Sequence, residues 1–418
     1  MASDRHVIVA GGGIAGLTAA LTLSRAGFRT TLLEQAAKLE ETGAGIQLSP
    51  NASRILIGLG LRDKLEPLVV RPEMIRVISG SSGREITRIP LGLKAEQHYG
   101  APFWTIHRGD LQAVLADAAQ NALDVTVKLG VRFDDCAAHG NGVTIQGYRG
   151  RQIVDERGAA LIGADGIWSS VGERMKWQRP PTFAHRTAWR ALVPAASVPL
   201  HFRSDVVNLW LGLDAHLVLY PVKDGNLINI VGIVHDQWNE TGWSADGDRA
   251  EILRHFARFT WADNVRELIG IPDRWLKWAL YDRVTPFLGG EGPVTLIGDA
   301  AHPMLPFLAQ GAGMAIEDAA VLADCMKAYF GAPEAGLRAY EAARRARTER
   351  AQQISRKQGT LYGQTGPEAL IRDLGMKLLG GERLLRRYDW LYNWQHKARA
   401  PDEDDNTRMK KYDLGEDV

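Results

Sequence analysis

The run Gly11-Gly12-Gly13-Ile14-Ala15-Gly16 constrains this chain more than any other part of it. It follows the apolar stretch His6-Val7-Ile8-Val9-Ala10 and opens a segment rich in Ala and Leu. A continuous apolar strand suits a parallel sheet covered on both faces. The pattern therefore predicts a strand, a glycine turn, a helix over 14–27 and a second strand over 28–34. Each glycine has a task in such a turn. Gly11 permits the tight bend, Gly13 lets a pyrophosphate approach the backbone, and Gly16 lets helix and strand pack closely. The helix N-terminus offers free N–H groups and a partial positive charge to that pyrophosphate. Glu34 lies 21 residues after Gly13, at a strand end where a carboxylate accepts hydrogen bonds from a ribose 2′-OH. The spacing points to an adenine dinucleotide and by itself does not separate FAD from NAD.

Two later motifs bear on that choice. Gly163-Ala164-Asp165-Gly166 and Gly298-Asp299-Ala300-Ala301-His302-Pro303 each follow a short apolar stretch, 161–163 and 294–298. A carboxylate at such a strand end can bond a hydroxyl of the ribityl chain, which FAD has and NAD lacks. Gly311-Ala312-Gly313 then opens a helix without large side chains, whose N-terminus can approach a flavin ring and stabilise negative charge on it. Three strand ends that each deliver a glycine turn predict one sheet gathered from distant parts of the chain.

Between 183 and 279 the sequence is rich in Trp and β-branched residues, with alternation at Val206-Asn208-Trp210 and Leu227-Asn229-Val231. This predicts an antiparallel or mixed sheet inserted into the first unit, with strands added from 74–102. The fold class expected is α/β: a Rossmann-like FAD-binding domain, an inserted β-sheet substrate domain and a C-terminal helical segment. The FAD-binding domain is expected over 1–72, 105–180 and 282–358, and the substrate domain over 73–104 and 181–281. The helical segment covers 359–400, and the polar, charged run 401–418 is expected to be disordered. Glu341, Arg344, Arg345, Arg347 and Arg350 read as a solvated helix face rather than a nucleic-acid groove.

Composition narrows the partners. Lys+Arg and Asp+Glu number 50 and 49, so no net field draws nucleic acid or an acidic membrane. The N-terminal stretch lacks the features of a signal peptide, and no apolar run approaches the roughly 20 residues that span a bilayer. A cytoplasmic enzyme is expected, as a monomer or homodimer. Cys136 and Cys325 are far apart, which excludes a disulfide framework, a CxxC zinc pattern and the paired redox cysteines of disulfide reductases. Both are expected as buried small hydrophobes. His302 has no partner at metal-ligand spacing and is read as shaping the backbone before Pro303; no metal is expected.

With these residues in view the chain resembles a known family, the single-component (class A) FAD-dependent aromatic hydroxylases of the p-hydroxybenzoate hydroxylase fold. The resemblance is closest to the salicylate hydroxylase-like branch. It covers nearly the whole chain through GGGIAG at 11–16, Glu34, GAGIQLSPNA at 43–52, HRGDL at 107–111 and GADGIWSS at 163–170. It continues through His216, Tyr220 and Pro221, the long motif at 298–319, and DWLY at 389–392. The resemblance implies FAD as cofactor, NADH or NADPH as co-substrate, and oxygen transfer from a flavin C4a-hydroperoxide to a phenolic or N-heteroaromatic acid. It implies FAD contacts at Ile14, Ala15, Gly45, Arg108, Val131, Asp299, Gly311 and Ala312, and places Asp165 near the cofactor pyrophosphate. Where the family often continues that motif with Ser, two residues and Arg, Gly172 stands three places after Ser169, and the nearest arginine is Arg174. No second dinucleotide fold is evident, so NAD(P)H is expected to bind transiently at the surface.

Hydroxylation by an electrophile is fastest on a phenolate, and a free phenol titrates near pH 10. A base within hydrogen-bonding reach raises the ionised fraction. His216 and Tyr220 share one face of a predicted strand. Taken alone, a strand histidine reads as structural; the resemblance implies that this pair stands at the substrate. Gln47 and Pro306 are further candidates for the substrate pocket. Position 306 is glutamine in 3-hydroxybenzoate 6-hydroxylases, and the proline here favours a salicylate-like pocket. Trp238 and Trp243 are read as sheet core or site lining, and Trp390 and Trp394 as packing for the C-terminal helix. The same cofactor motifs also fit a flavin epoxidase or oxidase, or a non-catalytic flavin redox sensor.

Overall fold

The computed structural model describes residues 5–39, 44–177, 179–240, 244–257, 261–283, 287 and 289–396. Gly43, Trp243 and the 401–418 tail, all part of the expectations above, lie outside the described residues.

Among the described residues, five strands form one parallel sheet in the order Val294–Leu296, Ala160–Gly163, His6–Ala10, Arg29–Glu34, Val125–Leu129. The three strands that end in glycine turns are neighbours. Their turns therefore emerge side by side at the carboxyl edge, where open α/β sheets bind ligands. The helix Ile14–Arg25 starts as predicted and stops before Gly27, whose φ of +92° ends it. It is sandwiched between the sheet and the helix Gly311–Ala328, and Thr22 Oγ1 donates to Ala319 O at 2.9 Å. Val7, Val9, Leu17, Leu32, Trp104 and Ile316 fill the core between them.

Among the described residues the second sheet has eight strands. From one edge they run Ala245–Gly247, Trp275–Asp282, Thr182–Pro194, Leu227–His235, Ala215–Val222, Val206–Gly212, Met74–Ser79, Glu85–Pro90. It is mixed, because Val206–Gly212 pairs in parallel with Met74–Ser79. Alternation assigns the two faces. Trp189, Trp210 and Trp275 turn to the back, under the helices Arg249–Ala257 and Asp263–Gly270. Ala188, Leu209, Leu211 and Ile233 turn to the front and meet Phe307, Leu308 and Met314 from the long glycine motif. The front face is thus the wall opposite the flavin segment.

Three differences from expectation have physical causes. The antiparallel meander Arg132–His139, Gly142–Arg149, Gln152–Gly158 went unpredicted, because strands such as QIVDERG carry polar residues on both faces. The helix Pro333–Tyr362 is not a uniformly solvated face: Arg345 and Arg350 are exposed, but Glu341 and Arg344 are buried. Arg344 is buried because it has buried partners, Glu317 at 2.7 Å and Asp318 at 2.6 Å. Cys136 and Cys325 are half-buried rather than buried. Cys136 Sγ rests 3.7 Å from Met175 Sδ, and burial pushes its thiol up to about 11.

The C-terminal segment forms the helices Gly366–Arg386 and Asp389–Tyr392. The first lies against Glu85–Pro90 so closely that a Cβ on Gly381 would stand 1.7 Å from Arg88 O. Trp390 and Trp394 pack under Arg347, at 5.6 and 4.9 Å from the ring centroids.

Candidate active site

The dinucleotide turn is built as its glycines require. Gly11 has φ +112°, and a Cβ there would stand 2.4 Å from Ala164 O; one on Gly16 would stand 1.8 Å from Gly11 O. Gly13 differs: a Cβ there would meet nothing within 4 Å. It caps the helix without a side-chain hydrogen bond, so the N-terminal N–H groups face open space. Glu34 accepts from Gly12 N at 2.6 Å and Ala36 N at 2.7 Å, which aims its carboxylate at the turn. Each oxygen keeps a lone pair for a further donor. Ile14 is buried, and Ala15 borders Gly298, where an added Cβ would stand 3.1 Å from Ala15 Cβ. Val131 is buried beside the second strand and donates its N–H to Glu34 O at 2.9 Å.

Asp299 leaves the sheet edge one residue after Gly298, whose φ is +59°. Its carboxylate faces the start of the Gly311 helix, 3.9 Å from where a Gly311 Cβ would be. The side chain is open to solvent, yet it is deep enough that burial raises its pKa, against the pull of Arg108 and then His302. Both hold for a group at the bottom of a cleft. Gln310 precedes the helix without capping it, leaving the N–H groups of Gly311 and Ala312 unshielded by a side-chain cap. An open helix N-terminus at Gly13, a second at Gly311 and an accessible carboxylate between them match a pyrophosphate, a flavin ring and a ribityl hydroxyl. The residues present fit FAD.

Behind this cleft runs a buried polar network. Asp318 accepts from Gly298 N at 2.8 Å, His302 Nε2 at 2.5 Å and Arg344 Nε at 2.6 Å. These partners hold its carboxyl down to about 2 despite burial. Glu317 accepts from Asn51 Nδ2 at 2.6 Å and Arg347 Nη2 at 2.7 Å, and Gln310 Nε2 donates to Ser49 Oγ at 2.8 Å. His302 therefore does more than precede a proline; it bonds the carboxylate that holds the Gly298 turn. Asp165 is engaged internally in a similar way, accepting from Ser169 Oγ at 2.6 Å and Val171 N at 3.0 Å. Arg174, the displaced arginine of that motif, pairs with Asp135 instead.

On the opposite wall, His216 and Tyr220 lie on one face of Ala215–Val222, with Val218 between them. Both are buried, while Val218 is half-exposed. The His216 ring stands 5.4 Å from Phe307 and 5.2 Å from Tyr362 between centroids. Burial, with Arg186 nearby, lowers its pKa to about 3, so the imidazole is neutral. Burial also raises the Tyr220 phenol well above its ordinary value. Among the described residues, neither side chain makes a hydrogen bond. Gly45 belongs to this wall: its N–H donates to Asn229 Oδ1 at 2.8 Å, and a Cβ would stand 2.6 Å from the Tyr220 ring. Gln47 is half-buried on the same strand, Gly45–Leu48. Pro306 begins the turn that presents Phe307 to His216. Trp238 packs instead on Lys277, whose Nζ is 4.5 Å from the Trp238 ring centroid and which is in register with Trp189 of the back face. Asp236, Glu251 and His255 bring ligand atoms within 4.8 Å of one another, but Lys277 Nζ already stands 3.0 Å from Glu251.

A parallel sheet with a dinucleotide turn, an accessible aspartate before a bare helix N-terminus, and an apolar wall opposite define a flavin-binding enzyme. The chain belongs to the FAD binding domain family, which it matches over residues 4–355. It is 34% identical over 392 residues to a 3-hydroxybenzoate 6-hydroxylase of Polaromonas naphthalenivorans, covering 94% of this chain and 96% of that one. It is 37% identical to a 3-amino-4-hydroxybenzoate 2-monooxygenase of Streptomyces platensis, covering 93% and 96%. A salicylate hydroxylase solved with its substrate superposes with a TM-score of 0.77 at 28% identity, covering 94% of this chain and 96% of that one.

Proposed function

We propose that the protein is an FAD-dependent monooxygenase that places one oxygen atom of O2 on the ring of a phenolic or N-heteroaromatic acid, with NADH or NADPH as reductant. The observation that carries this reading is the pair His216 and Tyr220 on the wall facing the flavin segment, with no hydrogen-bond partner among the described residues. When bound, FAD supplies the redox chemistry, taking electrons from the nicotinamide and activating oxygen. The chain's own residues do the rest. Arg108, Asp299 and the N–H groups of Gly311 and Ala312 hold and orient the ring system, and the front face excludes water.

Neutral His216 accepts the hydrogen bond of the substrate hydroxyl. Its low basicity in the free protein reflects burial. A phenolate forming beside the imidazolium offsets that burial, so proton acceptance is coupled to substrate ionisation. Tyr220, kept protonated, donates to an oxygen of the same ligand. The relatives named above act on hydroxybenzoates and an aminohydroxybenzoate, which supports an aromatic acid. Among the described residues no helix is long and apolar enough to cross a membrane, and a cytoplasmic monomer or homodimer remains our reading.

The test is a panel of hydroxybenzoates and hydroxynicotinates incubated with the FAD-loaded protein. Nicotinamide oxidation, H2O2 and mass-identified product are followed together. At least one acid should accelerate nicotinamide oxidation strongly and gain one oxygen atom. Oxidation that no acid stimulates, or that yields only H2O2, would overturn the reading.

A further inference from the structure

Arg190 lies on the strand Thr182–Pro194, in register with Val231 of the next strand, which is in register with Val218 beyond it. Directly opposed residues share a face of a sheet. Arg190 therefore stands on the same wall as His216 and Tyr220, level with the residue midway between them. Two strand spacings, about 9–10 Å, separate its backbone from theirs. The residues in that interval, Val231 and Val218, are both half-exposed on a wall whose neighbours Ile233, His216 and Tyr220 are buried. Two accessible valines between a cation and a His–Tyr pair make an apolar floor the width of one aromatic ring.

The guanidinium itself is unusual. Its Nε is buried without a hydrogen-bond partner. Among the described residues no carboxylate comes within ion-pair distance of it, and its recorded contact is with the Trp278 ring, 4.7 Å from the centroid. A guanidinium stacked on an aromatic plane keeps its fork of donors in a fixed direction. Two arginines of the interior are matched: Arg344 meets Glu317 and Asp318, and Arg283 donates to the carbonyls of Arg179 and Ile167 at 3.0 Å. Nearby Arg186 faces Asp214 electrostatically, whereas Arg190 feels Tyr220 and the like charge of Arg108. An enclosed cation without a counter-charge is costly in the free protein and is relieved by an anion.

We infer that Arg190 is the anchor for the carboxylate of the aromatic acid, holding it by paired charge-assisted hydrogen bonds while the ring lies on Val218 and Val231 and the ring hydroxyl reaches His216. This rests on the function proposed above and deepens it. The floor sets the separation of hydroxyl and carboxylate, so Arg190 selects among positional isomers as well as for charge.

The experiment uses the FAD-loaded protein and two probes of one shape, 3-hydroxybenzoate and 3-hydroxybenzamide. Binding is read by calorimetry and by perturbation of the flavin absorption. Arg190→Met should weaken 3-hydroxybenzoate by about 10- to 100-fold, the scale of a lost hydrogen-bonded charge, and leave 3-hydroxybenzamide unchanged. Arg190→Lys, which keeps the charge and loses the fork, should fall between. Because no carboxylate among the described residues pairs with this cation, Arg190→Met should not lower the melting temperature, and the extra thermal shift given by the acid should vanish. A purely structural arginine would do the reverse. Equal loss of acid and amide, unchanged acid affinity, or a lowered melting temperature with ligand preference intact would each overturn the inference. If the wild type neither binds nor oxygenates any aromatic acid, the proposed function fails first, and this inference with it. If the wild type does both and Arg190→Met retains the acid preference, only the carboxylate anchor is lost.

Discussion

His216 yields two measurable consequences. His216→Asn should leave FAD content unchanged, since the dinucleotide turn lies on the other sheet. It should slow product formation by about 10²-fold, the scale of a lost general base. Nicotinamide oxidation should suffer less, so the ratio of product to reductant falls, and the deficit should narrow as pH approaches the substrate's own pKa. The second consequence concerns stability. The folded-state pKa of about 3 lies below the ordinary 6.5, so the unfolded chain binds the extra proton first. The stabilisation is complete above about pH 6.5 and declines as pH falls toward 3, by at most about 1.4 kcal/mol per pH unit. Denaturation followed across that window should show a shallower acid decline in His216→Asn; an unchanged profile would contradict the burial. At this scale, what was legible in the sequence depended on spacing. Gly13 and Glu34 are tied through one β-α-β unit, and His216 and Tyr220 through one strand. Arg190 and Arg344 were opaque because their surroundings come from segments remote in sequence: Trp278 and Val231 for the first, Glu317 and Asp318 for the second.

Among the elements, the glycine turn offers a paired test. Gly13 has ordinary backbone angles, φ −74° and ψ −175°, and open space where a Cβ would go. Gly13→Ala should therefore fold with an unchanged melting temperature without cofactor, while FAD affinity falls because the methyl occupies the pyrophosphate's approach. Gly16→Ala places its Cβ 1.8 Å from Gly11 O, so it should damage the helix–strand contact itself and lower stability with or without FAD. Equal effects on folding and on cofactor binding in both variants would refute this division of labour. The apolar strands and the glycine-led helices were readable because periodicity and punctuation are local. The meander over 132–158 was not, since strands such as Gln152–Gly158 mix polar and apolar residues on both faces and only a short apolar row, Phe133, Val143 and Ile145, is buried.

Over the whole molecule, the buried charges hold together segments that are remote in sequence. Ser49 and Asn51, the Gly298 turn, the Gly311 helix and the Pro333–Tyr362 helix meet at Glu317 and Asp318. Arg344→Met would leave two buried carboxylates short of a cation, and the expected loss is about 3–5 kcal/mol. Urea denaturation should show a lower midpoint, and the yellow cofactor should be released at a lower temperature than from the wild type. The sheet order has a further consequence for how the enzyme comes into being. Val294–Leu296 is an edge strand paired with Ala160–Gly163, and Asp299 and Gly311 lie beyond it. A ribosome adding about 5–20 residues per second displays the finished glycine turn many seconds before it makes the aspartate and helix that complete the flavin's seat. The nascent chain must spend that interval with an uncovered sheet edge and half a cofactor site. In a cell supplied with excess FAD, yellow colour should therefore track chains that have been completed.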